Sequence, residues 1–100
     1  MRPFFWAKIE MNTLEINEKL KSLTDWSYDQ NSKSLVKTYN FKTYSKTIQF
    51  VNAIAWIANK LNHHPDLEVS FNKCVVKITT HDEGGVRELD FELATAIELL

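Results

Sequence analysis

HHPDLEVSFNKCVVKITTH, residues 63–81, decides the fold, because the stretch carries its own pairing pattern. Apolar and polar residues alternate on both sides of Asn72-Lys73, as in a half-buried β-hairpin. Asn tolerates the positive φ of a two-residue type I′ turn, so the turn is expected at Asn72-Lys73. That register sets Phe71 against Cys74, Val69 against Val76 and Leu67 against Ile78, an entirely apolar face. The other face sets Ser70 against Val75 and Glu68 against Lys77, with opposite charges across from each other. A slip of one residue would turn every side chain of one strand to the wrong side. Counted outward, the same register pairs Asp66 with Thr79 and His64 with His81. Directly opposed residues have Cβ atoms roughly 4.5–5.5 Å apart, so two histidines distant in sequence are expected to be neighbours.

Pro65 forces the residue before it out of the helical region and so ends the helix upstream. That helix is TYSKTIQFVNAIAWIANKLN, residues 43–62. Tyr44, Ile48, Val51, Ala55 and Ala58 form one apolar stripe, and Phe50, Ile54, Ile57 and Leu61 a second beside it. The combined arc is wider than a helix lying on a sheet needs, so another helix or a second copy is expected to cover the excess. Trp56 falls on the polar side with Gln49, Asn52 and Lys60. Further upstream, residues 12–23 (NTLEINEKLKSL) read as a short capped helix with Leu14, Ile16, Leu20 and Leu23 as its apolar face. Residues 25–41 read as a hairpin about a polar turn at 29–33, with Trp26 and Tyr28 on one arm and Leu35, Tyr39 and Phe41 on the other. Residues 88–100 (ELDFELATAIELL) read as a last helix, with Asp90 as its N-cap and Phe91, Ala94 and Ile97 along one side. The order α-β-β-α-β-β-α predicts an α+β fold, a four-stranded antiparallel sheet with helices packed on one face. Residues 12–100 are expected to form a single domain. Residues 1–11 read as an N-terminal extension whose Phe4, Phe5 and Trp6 need something to pack on.

At 100 residues, with 44% hydrophobic and 25% charged residues, the chain has the composition of a globular protein able to bury one core. Twelve Lys/Arg against thirteen Asp/Glu leave a formal charge of -1, which gives no field to draw the protein onto nucleic acid or an anionic membrane. No nucleic-acid or membrane partner is expected. The first apolar run stops at Ala7, too short for a span or a signal core, and the lone Cys74 has no internal partner. A cytoplasmic location and a buried, structural thiol are the expectation.

The chemistry concentrates in the three histidines, His63, His64 and His81. Imidazole populates both protonation states near neutral pH, so a cluster can supply an acid and a base together. The plainer alternative is that His63 meets the carbonyls at a helix C-terminus while His64 and His81 form a solvated cross-strand pair. A zinc site lacks support: Cys74 lies on the apolar face, and none of the standard ligand spacings occurs. Gly-rich phosphate loops and nucleophile elbows are absent too, against phosphoryl and acyl transfer.

The motifs NHHP at residues 62–65, FNK at 71–73, THDEGG at 80–85 and Asp90 at the last helix resemble the pterin-4a-carbinolamine dehydratases. Animal members of that family also serve as dimerisation cofactors of a homeodomain transcription factor. Trp26 and LVKTYNF, residues 35–41, resemble the family's first hairpin, with Lys37 where arginine is common. The resemblance spans residues 12–100 and implies loss of water from a 4a-hydroxytetrahydropterin to give the quinonoid dihydropterin. It implies no metal or organic cofactor, a homodimer or homotetramer, a pterin substrate as partner and a functional link to an aromatic amino acid hydroxylase. His63, His64 and His81 take the family's catalytic positions, and Asn59, Asn62, Pro65, Thr80 and Asp90 its substrate-binding ones. Asp90 matches the family's fourth polar residue, a place its role as N-cap would also explain. Two positions depart from the pattern: Asn59 stands where glutamate is usual, and Leu67 where an aromatic commonly follows the motif. An amide cannot act as an acid. A family member without catalysis, acting as an interaction or assembly module, is the alternative.

Overall fold

The structure, a computed structural model, describes residues 11–100. The expected packing of Phe4, Phe5 and Trp6, and the extension apart from Met11, lie outside the described residues. Among them the order is α1 (Thr13–Leu20), β1 (Ser27–Asp29), β2 (Ser34–Asn40), α2 (Tyr44–Leu61), β3 (Asp66–Ser70), β4 (Lys73–Ile78), a 3₁₀ turn (His81–Glu83) and α3 (Glu88–Glu98). The strands form one antiparallel sheet in the order β1-β2-β4-β3. Leu35, Cys74, Val76 and Ile78 on one sheet face are buried against Ile16 of α1, Ile54 of α2 and Phe91, Leu93, Ala94 and Ile97 of α3. The predicted fold class and element order are therefore observed. No helix among the described residues is long and apolar enough to cross a membrane.

Each helix starts where its capping chemistry allows. Asn12 and Glu15 form a reciprocal capping box on α1, their side chains accepting from each other's backbone N–H at 2.9 and 3.0 Å. The helix stops at Leu20 rather than Leu23, and Leu14 is 78% exposed instead of belonging to the apolar face. At 100° per residue Leu14 lies far round the helix from Ile16, which is the buried residue. Thr43 caps α2 by accepting from the Lys46 N–H. The buried stripe of α2 is narrower than its sequence, centred on Thr47, Ile54 and Ala58, while Tyr44 and Ala55 stay exposed. Trp56 is 70% exposed, as its place on the polar side predicts.

The register of the second hairpin differs from the expected one. The turn is Phe71-Asn72, and the pairs are Ser70 with Lys73, Val69 with Cys74, Glu68 with Val75, Leu67 with Val76 and Asp66 with Lys77. The shift is two residues, so the face each side chain occupies is unchanged, but its partner is not. Glu68 and Lys77 are diagonal rather than opposed, and still meet at 3.2 Å. Two donors from outside the hairpin account for the change. The Phe41 N–H donates to the Asn72 carbonyl and the Thr47 hydroxyl to the Phe71 carbonyl, each at 2.8 Å. Asn72 has no positive φ, so no type I′ turn forms. Phe71 is consequently lifted onto the turn, 64% exposed.

At the C-terminal end of α3, Glu98 gathers the donors of the sheet's inner face. Its carboxylate accepts from Lys37 Nζ at 2.6 Å, from Trp26 Nε1 at 3.1 Å and from the Tyr39 hydroxyl. Lys37 also donates to the Thr24 carbonyl and lies over the Tyr39 ring. Burial works to raise the Glu98 carboxyl, but the hydrogen bonds from Lys37, Tyr39 and Trp26 outweigh it and hold the group below its ordinary value. A carboxyl depressed in the folded state adds stability above its unfolded value and loses it as pH falls through the folded one. Urea midpoints of the wild type and Glu98→Gln should therefore differ at pH 7, and the gap should close as pH drops below about 4.3. A gap of constant size across that range would show that the charge on Glu98 does not matter.

Candidate active site

Asn62 ends α2 in the left-handed region, at φ 53°, which Asn tolerates better than most residues. The His63 N–H then donates back to the Ala58 carbonyl in a Schellman-type closure, and Pro65 keeps the chain extended into β3. This sharp exit turns the His63 ring inward, leaving its side chain 12% exposed. His63 Nε2 lies 2.5 Å from Asp90 Oδ1.

Asp90 is completely buried, at 0% exposure. It is not the N-cap of α3. Arg87 holds that position, and Asp90, three residues on, reaches back to accept from the Arg87 N–H at 2.7 Å. The difference is physical: a carboxylate in the first turn meets unpaired N–H groups and the positive end of the helix dipole, just as an N-cap does. The same Oδ2 accepts from the Thr80 hydroxyl at 2.8 Å. Asp90 thus has two donors on Oδ2 and the His63 ring against Oδ1, polar partners of the kind a buried carboxyl group requires.

Thr80 is held by paired backbone bonds with Gly85, at 3.1 and 3.2 Å, which close the loop between them. Gly84 sits at φ 90°, a conformation open to glycine and costly for residues with a Cβ. Inside that loop His81 opens the 3₁₀ turn and is exposed, and Glu83 pairs with the Arg87 guanidinium.

His64 and His81 are not opposed across the hairpin. β4 ends at Ile78, the last β3–β4 pair is Asp66 with Lys77, and counting outward sets Thr79 rather than His81 opposite His64. The cause is the two-residue shift of the turn. His64 instead borders an open cleft of about 570 Å³ between α2 and β3, shared with Asn59, Trp56, Pro65 and Leu67. Thr80 borders another, of about 780 Å³, between α1 and the start of α3, with Glu83 and Arg87.

The predicted residues therefore fall into groups. His63, Thr80 and Asp90 are joined by hydrogen bonds. Asn59, His64 and Pro65 share a cleft. Asn62 is an exposed helix cap, and His81 is exposed one residue after Thr80. Among the described residues no three His, Cys, Asp or Glu side chains come together as a metal-binding group. The participation of the Arg87 backbone was not read from sequence. Its signal was the three-residue spacing from Arg87 to Asp90, hidden because arginine is not a favoured N-cap.

An imidazole with one nitrogen on a buried carboxylate is an arrangement suited to moving protons. Known proteins resemble the chain along nearly all its length. The family model described as pterin 4 alpha carbinolamine dehydratase matches residues 9–100. A relative from Nitrosospira multiformis, provisionally named a pterin-4-alpha-carbinolamine dehydratase, is 44% identical over 99 residues, covering 99% of this chain and 86% of that protein. One of the same provisional name from Sulfolobus acidocaldarius is 43% identical over 89 residues, covering 89% of this chain and 96% of that protein. A solved structure of a transcriptional coactivator/pterin dehydratase from Brucella melitensis matches with a TM-score of 0.86 at 31% identity, over 91% of this chain and 97% of that one. A pterin dehydratase-like protein described as a RuBisCO assembly factor in the alpha-carboxysome shares the fold, with a TM-score of 0.65 at 18% identity over 77% of this chain and 89% of that one.

Proposed function

Because the chain belongs to the pterin 4 alpha carbinolamine dehydratase family, we propose that it removes water from a 4a-hydroxytetrahydropterin, with histidines as acid and base. In this reaction the base takes the proton of the ring N–H beside C4a. The electrons left behind form a C=N bond, the C4a–O bond breaks, and the departing oxygen leaves as water with a proton from the acid. His63, His64 and His81 supply those groups, and the contact between His63 and the buried Asp90 is the observation that carries the reading. Asn59 and Pro65, which share a cleft with His64, are the pterin's neighbours, together with Asn62 and Thr80. Neither a metal nor an organic cofactor has a part in the scheme.

The test is the decay of 4a-hydroxytetrahydropterin, generated in the cuvette, with and without protein. Wild type should exceed the uncatalysed rate and the His63/His64/His81 triple alanine variant should not. Equal rates for the two proteins would sink the histidine assignment. Asn59→Glu, assayed alongside, should be faster than wild type, since a carboxylate can hold a protonated neighbour and an amide cannot.

The protein also acts as an oligomer in this reading. β3 is an edge strand with Val69 exposed, and Phe71 and Trp56 stand out of the surface. Light scattering on the same preparation should give the mass of two or more copies, and a monomer would exclude it. If no turnover is found, these same exposed aromatics favour the interaction-module alternative.

A further inference from the structure

Asp90 has both carboxylate oxygens engaged from sides that leave little choice of proton placement. Oδ2 receives the Thr80 hydroxyl and the Arg87 N–H, and Oδ1 faces His63 Nε2. A backbone N–H only donates, and the Thr80 hydroxyl is spent as a donor here, so Oδ2 is set up as an acceptor. The position in the first turn of α3 adds the helix's own preference for negative charge. Where Oδ1 accepts as Oδ2 does, the imidazole proton lies on Nε2. The other nitrogen, Nδ1, has no partner among the described residues, on a ring that keeps a small exposed edge.

We infer, on the dehydratase reading above, that Thr80 and Asp90 are positioning residues that lock His63 with its proton on Nε2, making Nδ1 the base. Nδ1 takes the ring N–H proton of the substrate, and the proton for the departing oxygen falls to His64 or His81. When Nδ1 is protonated the contact with Asp90 joins two full charges, and such bonds are about twice as strong as neutral ones. The gain comes where charge develops, which lowers the barrier more than it aids ground-state binding. Thr80 contributes by keeping the carboxylate plane turned toward His63. Its hydroxyl proton is therefore committed inward, and a substrate could use only its lone pairs.

The tautomer can be read without any turnover. In protein labelled with ¹⁵N-histidine, the neutral form of His63 should show a protonated Nε2 and a bare Nδ1. Thr80→Val, which keeps the shape and loses the hydroxyl, should shift His63 toward a mixture of tautomers. It should also lower kcat about tenfold, the size expected for one hydrogen bond to a charged group. Thr80→Ser should restore both readings, which a purely structural role of the threonine would not require. Asp90→Asn should abolish the preference, and if that variant does not fold, the Thr80 pair still decides. A wild-type His63 with its proton on Nδ1 would overturn the inference, and so would a Thr80→Val protein with wild-type tautomer and kcat. The expected tautomer in a protein with no dehydratase activity would uphold the lock and sink the function. Activity with the opposite tautomer would do the reverse.

Discussion

A His63→Gln protein will fold nearly as well as wild type and lose a factor of about a hundred to ten thousand in dehydration rate. The glutamine amide reaches about as far as Nε2 and can donate to Asp90 Oδ1, so the buried carboxylate keeps its third partner. It cannot take up a proton near neutral pH. His63→Ala removes both functions, and the carboxylate left short of a donor should cost a further 1–3 kcal/mol, roughly, of stability. Stopped-flow decay of the 4a-hydroxypterin, paired with urea unfolding of each variant, separates these effects. Wild-type turnover in His63→Gln would mean that the ring only holds Asp90 in place.

Ile54→Ala will carry the largest stability loss on α2. Ile54 is completely buried, facing the sheet on the helix that ends at the histidines. Truncating such a side chain typically costs about 2–5 kcal/mol, the transfer term plus the cavity left behind. That is a large share of the roughly 5–15 kcal/mol that holds a domain together. Gln49→Ala on the exposed side of the same helix should stay within about 0.5 kcal/mol of wild type. Chemical denaturation read by tryptophan fluorescence reports both, since Trp26 is buried in the same core. Similar losses for the two variants would mean that helix propensity, not packing, sets the stability of α2.

The sequence by itself determined the elements, their order and the faces of the strands, while Leu14, Tyr44 and Ala55 fell outside the buried faces read for their helices. Periods of two and 3.6 residues, the capping residue at the start of α1 and the Pro65 stop are local, acting over a few residues, so the two hairpins and the helical face holding Ile54 and Ala58 were legible. The motif histidines and their matching polar residues were legible as a list of candidates, by resemblance. What only the tertiary structure decided is who touches whom. The turn at Phe71-Asn72 is chosen by Phe41 and Thr47, which belong to other elements, and a two-residue shift leaves every face intact, so no hydrophobic pattern could reveal it. The same shift separated His64 from the strand partner expected for it. The bond from His63 to Asp90 spans twenty-seven positions and depends on where α3 docks against the end of α2. Such contacts are set by the burial of whole faces, a property of the assembled chain that no local pattern encodes.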